Sequence, residues 1–126
     1  MLYEYRCDRC NVVRVIDGDT VVVDIDLGFD SWIKDQHIRI QHIDTPEVRT
    51  RDLDEKERGL AAKARAEELL PAGSSQYLVS RSYDSSTGKS GRFGDFLLVY
   101  PKDGEPNYKR YYSEIMLLEG LAEEYK

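Results

Sequence analysis

Hydrophobic and polar positions alternate through the first third of the chain and then change period. Thr20 to Leu27 sets Val21, Val23, Ile25 and Leu27 against Thr20, Val22, Asp24 and Asp26, the repeat of a half-buried strand. Tyr3 to Ile16, rich in Tyr and Val, predicts a longer strand before it, bulged near Cys7 to Asn11. Trp32 to Ile43 predicts a third, with Ile38 and Ile40 on one face and Arg39, Gln41 and Ile43 on the other. Asp17-Gly18 and Gly28-Phe29-Asp30-Ser31 supply the turns, so these strands read as an antiparallel meander. From Asp54 the spacing becomes helical. Asp54-x-x-Glu57 has the form of a capping box, and the helix is expected to run to about Leu70. Leu60, Ala61, Ala64, Leu69 and Leu70 are expected to face the core, with Lys63, Arg65, Glu67 and Glu68 outward. Gln76 to Tyr83 and Phe93 to Tyr100 predict two more strands around a small-residue loop, Asp84 to Gly91. Ser113 is placed to cap a short helix over Glu114 to Glu119, closed by Gly120 in the left-handed conformation. The order is three strands, helix, two strands, helix. The expected fold is mainly β with helices (α+β): a five-stranded OB-type barrel with a helix between strands 3 and 4 and a C-terminal helix.

Composition narrows this picture. The 126 residues suit one domain, taken as 1–126, large enough for a single core. Hydrophobic residues are 40% and charged residues 33%, a globular balance. No apolar run approaches the ~20 residues of a membrane span, so no membrane partner is expected. Met1 to Arg6 lacks a basic segment followed by an apolar block, which predicts a cytoplasmic protein or a processed secreted one. A monomer is expected. The net charge of −6 counts against binding nucleic acid by bulk electrostatics. It does not count against an enzyme with a few placed arginines and a cation.

Cys7 and Cys10 form a lone C-x2-C, half of a zinc site without its second pair. On a regular strand they face opposite ways, as do His37 and His42. Ordinary strand cysteines are the expectation, with a zinc-ribbon-like regulatory domain as an alternative.

Candidate chemistry gathers at separated places. Asp19 begins the second strand. Arg39 lies late in the third, with Asp44 and Glu47 in the Pro46-stiffened loop that follows, and Arg92 follows Lys89-Ser90-Gly91. A meander would bring the first turn and the end of the third strand together. Asp19 and Asp44 could then meet around one hard cation, with the Thr45 carbonyl as a further ligand. Paired arginines grip phosphate oxygens in a bidentate way, and a carboxylate outside the metal's ligands, Glu47, can activate water. Each residue also has an ordinary reading: a turn acid, a cross-strand ion pair, a solvated loop arginine, a helix-approach acid. Together they suit phosphodiester hydrolysis.

Asp17-Gly18-Asp19-Thr20, Ile38-Arg39-Ile40 running into Ile43-Asp44-Thr45-Pro46-Glu47, and Lys89-Ser90-Gly91-Arg92 resemble the three signature blocks of the staphylococcal (thermonuclease-like, micrococcal) nuclease family. Ser113 to Ala122 resembles that family's late helix. The resemblance implies a calcium-dependent nuclease acting on DNA and RNA. By matching position, Asp19, Asp44 and the Thr45 main chain would bind calcium. Arg39 and Arg92 would hold the scissile phosphate, and Glu47 would be the general base. Lys89 and Tyr125 would contact substrate. The sequence departs from the family at Ser90, where a tyrosine is common, in a longer Phe93 to Gly104 segment, and in its acidity. The competing expectation is a non-catalytic binding module that keeps the barrel without the chemistry.

Overall fold

The computed structural model describes residues 4–81, 92–100 and 104–125, with backbone only at residues 4, 5, 81 and 92. β1 (Glu4–Asp17), β2 (Thr20–Asp26) and β3 (Trp32–Ile40) form the expected antiparallel meander. There follow β4 (Ile43–Asp44), α1 (Leu53–Leu69), β5 (Ser75–Arg81) and β6 (Arg92–Val99). β7 (Lys109–Tyr111), α2 (Tyr112–Leu118) and β8 (Glu123–Glu124) complete the order. The chain is therefore α+β, mainly strand with two helices among the described residues. The main sheet runs β3-β2-β1-β5-β6-β7, and β3 pairs again with β6, in parallel. β4 and β8 form a separate antiparallel pair. The predicted loop from Asp84 to Gly91, with Lys89 in it, and the end of the predicted strand at Tyr83 lie outside the described residues.

The core is built from one face of the strands. Val21, Val23, Ile38, Ile40, Leu78 and Phe96 are sealed within it, and Tyr112, Ile115 and Met116 come from α2. Val22 is also buried although it lies on the opposite face, between its register partners Arg14 and His37. Leu27 was expected inside and is exposed, because β2 ends at Asp26 and the turn carries Leu27 outward. The β1–β5 register slips between Cys7 and Cys10, which is the expected bulge. Cys10 is buried and Cys7 half-buried, and both are free thiols.

β3 stops at Ile40, short of the expected Ile43. His42 takes φ 68°, breaking the alternation at Gln41-His42. Strict alternation would put Ile43 on the Arg39 face; after the break Ile43 joins the core and Asp44 stays exposed.

Helix α1 is rotated from its expected phase. Leu60, Ala61 and Ala64 are exposed, and the buried stripe is Gly59, Ala62 and Ala66, continued by Leu70. The large aliphatic residue misleads because this helix docks through its smallest side chains. A Cβ on Gly59 would lie 2.7 Å from the Glu47 carbonyl oxygen and 2.8 Å from that of Pro46. The N-cap is Asp52, whose carboxylate accepts from Asp54 N (3.0 Å) and Glu55 N (3.3 Å), so the Asp54–Glu57 box does not form. Ser113 does not cap α2 either. It lies inside the helix and donates its hydroxyl to buried Asp95, whose carboxylate also accepts from Ser113 N at 3.1 Å. Gly120 has φ 72°, as expected past a helix end.

Candidate active site

The turn Gly18-Asp19 joins β1 to β2, and Asp17 pairs with Thr20 across it. Gly18 is needed for space. A Cβ there would meet Thr45 Cγ2 at 2.8 Å and Ala62 Cβ at 3.1 Å, so the glycine lets the Thr45 loop and α1 close on the turn. The Asp19 carbonyl accepts from Ile40 N at 2.8 Å, and Thr20 stands opposite Arg39 in the ladder. The meander thus brings Asp19 to the end of β3 as the sequence predicted.

Asp19 is buried and held at both oxygens. Oδ1 accepts from the Thr20 hydroxyl and Oδ2 from Thr45 N, each at 3.1 Å. Arg39 lies against it. Its Nη1 donates to the carbonyls of Ile43 (3.0 Å) and Ile40 (3.1 Å) and stands 3.4 Å from Asp19 Oδ2. Its Nη2 stands 3.4 Å from Asp44 Oδ1. One guanidinium therefore spans both aspartates while pinning the β3–β4 turn. Those carboxylate distances are longer than the ~2.7–2.9 Å of a tight charge-assisted bond. Burial raises the Asp44 carboxyl above the ordinary carboxylate range, Arg39 opposes this, and the neighbouring Asp19 adds to the rise. The Asp44 carboxylate, short of full compensation by Arg39, is a group that a further cation would favour.

Glu47 is exposed on the following loop. Its N–H donates to Glu55 Oε1 at 3.4 Å, and Glu55 Oε2 accepts from Thr50 Oγ1 at 3.3 Å, so the first turn of α1 braces the loop. Asp19, Arg39, Asp44, Thr45 and Glu47 line one cleft of about 650 Å³, with Arg14, Asp17, Arg49 and Lys63 also on its wall. Five of the residues predicted from sequence are thereby brought together. Tyr125 joins them from the far end of the chain. Its N–H donates to the His42 carbonyl at 2.9 Å, and its ring centroid lies 5.5 Å from the Arg39 guanidinium carbon. Arg92 is placed by its backbone, opposite Ile38 in the parallel β3–β6 pair. The Arg92 side chain and all of Lys89 lie outside the described residues.

The carboxylates of Asp19 and Asp44 beside Arg39, in a cleft that Thr45 also lines, are hard oxygen donors of the kind calcium takes. Thr45 Oγ1 is buried with no hydrogen-bond partner among the described residues. Among the described residues no group of three or more His, Cys, Asp or Glu side chains is arranged around a metal position. A cation here would therefore draw most of its ligands from water and substrate.

Residues the sequence did not single out complete the support. Tyr112 is fully buried. Its hydroxyl donates to the Gly18 carbonyl. Asp95 anchors the start of the helix that carries Tyr112. A carboxylate inside the apolar run Phe93 to Tyr100 was the available signal for it.

Comparison of the chain with protein-family models and with curated protein sequences finds no match. No helix among the described residues is long and apolar enough to cross a membrane.

Proposed function

We propose that this protein is a calcium-dependent nuclease of the staphylococcal-nuclease kind, hydrolysing phosphodiester bonds in DNA and RNA. The observation that carries the reading is the single guanidinium of Arg39 spanning Asp19 and Asp44, in the same cleft as the exposed carboxylate of Glu47. The pairings β1–β2–β3–β6–β5 return to β1, which supports an OB-type barrel as the scaffold.

The roles follow from which atoms are already committed. Nη1 of Arg39 is engaged by main-chain carbonyls and one Nη2 hydrogen by Asp44, so Nε and the other Nη2 hydrogen are the donors left for phosphate oxygens. They would hold the phosphate and stabilise the charge it gains on attack. Arg92 is the proposed second guanidinium, on the strength of the signature block alone. Glu47 sits outside the aspartate pair and takes the proton from, or orients, the attacking water. Asp19, Asp44 and the Thr45 carbonyl would hold the calcium ion. When bound, the ion neutralises phosphate oxygens. Tyr125 keeps one face of the Arg39 guanidinium covered, which restricts the side chain to poses that reach the cleft.

The test is cleavage of denatured DNA by purified protein in calcium, repeated with a chelator and with Glu47→Ala. The expected result is cleavage that chelation abolishes and a turnover lowered roughly 10²–10⁴-fold in the variant. Intact DNA in calcium would sink the enzyme, and binding without cleavage would point to the non-catalytic module.

A further inference from the structure

The chain carries 18 Lys and Arg against 24 Asp and Glu, yet four of its cationic side chains, Arg14, Arg39, Arg49 and Lys63, line one cleft beside four carboxylates, Asp17, Asp19, Asp44 and Glu47. Arg39, which spans Asp19 and Asp44, has donors left only for the scissile phosphate. The same cleft is lined by Arg14, Arg49 and Lys63 together with Ile16 and Val48. We propose that this part of the cleft is a second phosphate subsite, holding the phosphate one nucleotide away from the one being cleaved. The proposal rests on the nuclease reading and adds to it the substrate class: a strand with at least one further linkage next to the scissile one, so that a dinucleotide is a poor substrate.

Three observations carry it. First, Arg14 and Arg49 are exposed in the cleft and have no ion-pair partner among the described residues. Arg9, Arg65 and Arg110, outside the cleft, are paired with Asp26, Glu119 and Glu114. Arg51 and Arg58 are also exposed without an ion-pair partner among the described residues, but they do not line this cleft; within it the open guanidinium groups are Arg14 and Arg49, and an open fork is what phosphate oxygens match. Second, the backbone aims them. Arg14 lies between two register shifts in the β1–β2 ladder, at Val12/Arg14 and Val15/Asp17. Such shifts turn side chains away from the regular face of a strand. Lys63 is one helical turn beyond Gly59, where α1 touches the Pro46-Glu47 backbone, so it overhangs the same loop. Third, Ile16 and Val48 are half-buried in the cleft and offer a sugar or base an apolar surface there. The volume of about 650 Å³ accommodates more than one phosphate.

The binding test uses fluorescein-labelled octathymidylate, read by anisotropy in chelator so that no cleavage intervenes, across a range of salt. For a single strand, every phosphate that the protein ceases to neutralise lowers the slope of log affinity against log salt by about 0.7. Arg14→Gln with Arg49→Gln, which together empty the one proposed subsite, is expected to lower it by about 0.7. Arg9→Gln, at the opposite end of the β1–β2 ladder, is the control and should leave it unchanged. In calcium, a trinucleotide with two linkages should be cleaved about tenfold more efficiently than a dinucleotide with one, and the double variant should abolish that preference. An unaltered salt slope in the double variant overturns the subsite even if DNA is cleaved. A lowered slope in a protein that cleaves nothing keeps the phosphate subsite and removes the nuclease.

Discussion

The hydroxyl of Tyr112 donates to the carbonyl oxygen of Gly18, the residue that precedes Asp19. The bond ties α2 to the turn that presents the buried aspartate of the candidate site. Tyr112 is sealed from solvent, and burial raises its hydroxyl well above the ordinary tyrosine value, with Asp19 and Asp95 adding to the rise, so it remains a donor. Tyr112→Phe keeps the ring and strands a buried carbonyl. The expected loss is about 1–3 kcal/mol of stability. Because the Gly18-Asp19 turn loses its tether, cleavage should fall by more than the unfolded fraction explains. Urea denaturation and kcat on the same preparation separate the two effects.

Gly59 sits where α1 meets the main chain of Pro46 and Glu47. In an exposed helix interior, alanine would be favoured over glycine by roughly 0.5–1 kcal/mol. Here the new Cβ would be 2.7 Å from a backbone oxygen, which cannot rotate aside. Gly59→Ala should therefore destabilise by about 1–3 kcal/mol. It should also displace Glu47 and lower kcat. A more stable variant in urea would contradict the close packing of loop and helix.

Alkaline stability depends on Cys10. Burial, with smaller contributions from Cys7 and Asp24, pushes its thiol from 9.0 up to about 12. A group raised on folding contributes stability that is complete below its unfolded value and is lost as pH rises through the folded one. The fall should therefore begin near pH 9 and continue toward about 12. Cys10→Ala should be less stable at neutral pH, because it packs the core less fully, but should decline less steeply between those limits. Parallel slopes for the two proteins would contradict the assignment. In the native protein a thiol reagent should label half-buried Cys7 and spare Cys10.

The acid limb depends on Arg65 and Glu119. Arg65 donates to Glu119 from Nε at 2.7 Å and from Nη2 at 2.9 Å. This holds the Glu119 carboxyl below its usual value near 4.5, with Tyr100 helping and burial opposing. A lowered carboxylate contributes stability above its unfolded value that is lost as pH falls through the folded one. Arg65→Met should remove that contribution, so that the variant's melting temperature falls less than the wild type's on acidification below pH 4.5. The pair joins α1 to the end of α2 and is part-exposed, so the effect should be small.

Much of the site could be read from the sequence because its residues sit beside strong local signals. Asp19 follows a turn dipeptide, and Arg39 alternates with Ile38 and Ile40. Pro46 forces an extended loop between Asp44 and Glu47. A meander then joins these places without any long-range guess, and Thr20 opposite Arg39 is the result. The face of α1 was not legible, because its packing is decided by a backbone approach from Pro46 and Glu47, distant in sequence from Gly59. Asp52 was passed over for Asp54, although both precede the same helical run. The second role of Glu55, bracing Glu47 and Thr50, also needed coordinates. Ser113 had the chemistry of a cap and went instead to Asp95, a partner supplied by another strand.

The central claim is that Asp19, Asp44 and Arg39 form one site shared by a cation and a phosphate. Calorimetric titration of calcium, with and without a mononucleotide, tests it most directly. With so few carboxylates the free protein should bind calcium with Kd on the order of 10⁻⁴–10⁻³ M. The mononucleotide should tighten that affinity, and calcium should tighten the nucleotide by the same factor. Asp44→Asn should weaken both. Calcium and nucleotide binding independently of each other, or calcium binding untouched by Asp44→Asn, would contradict the shared site.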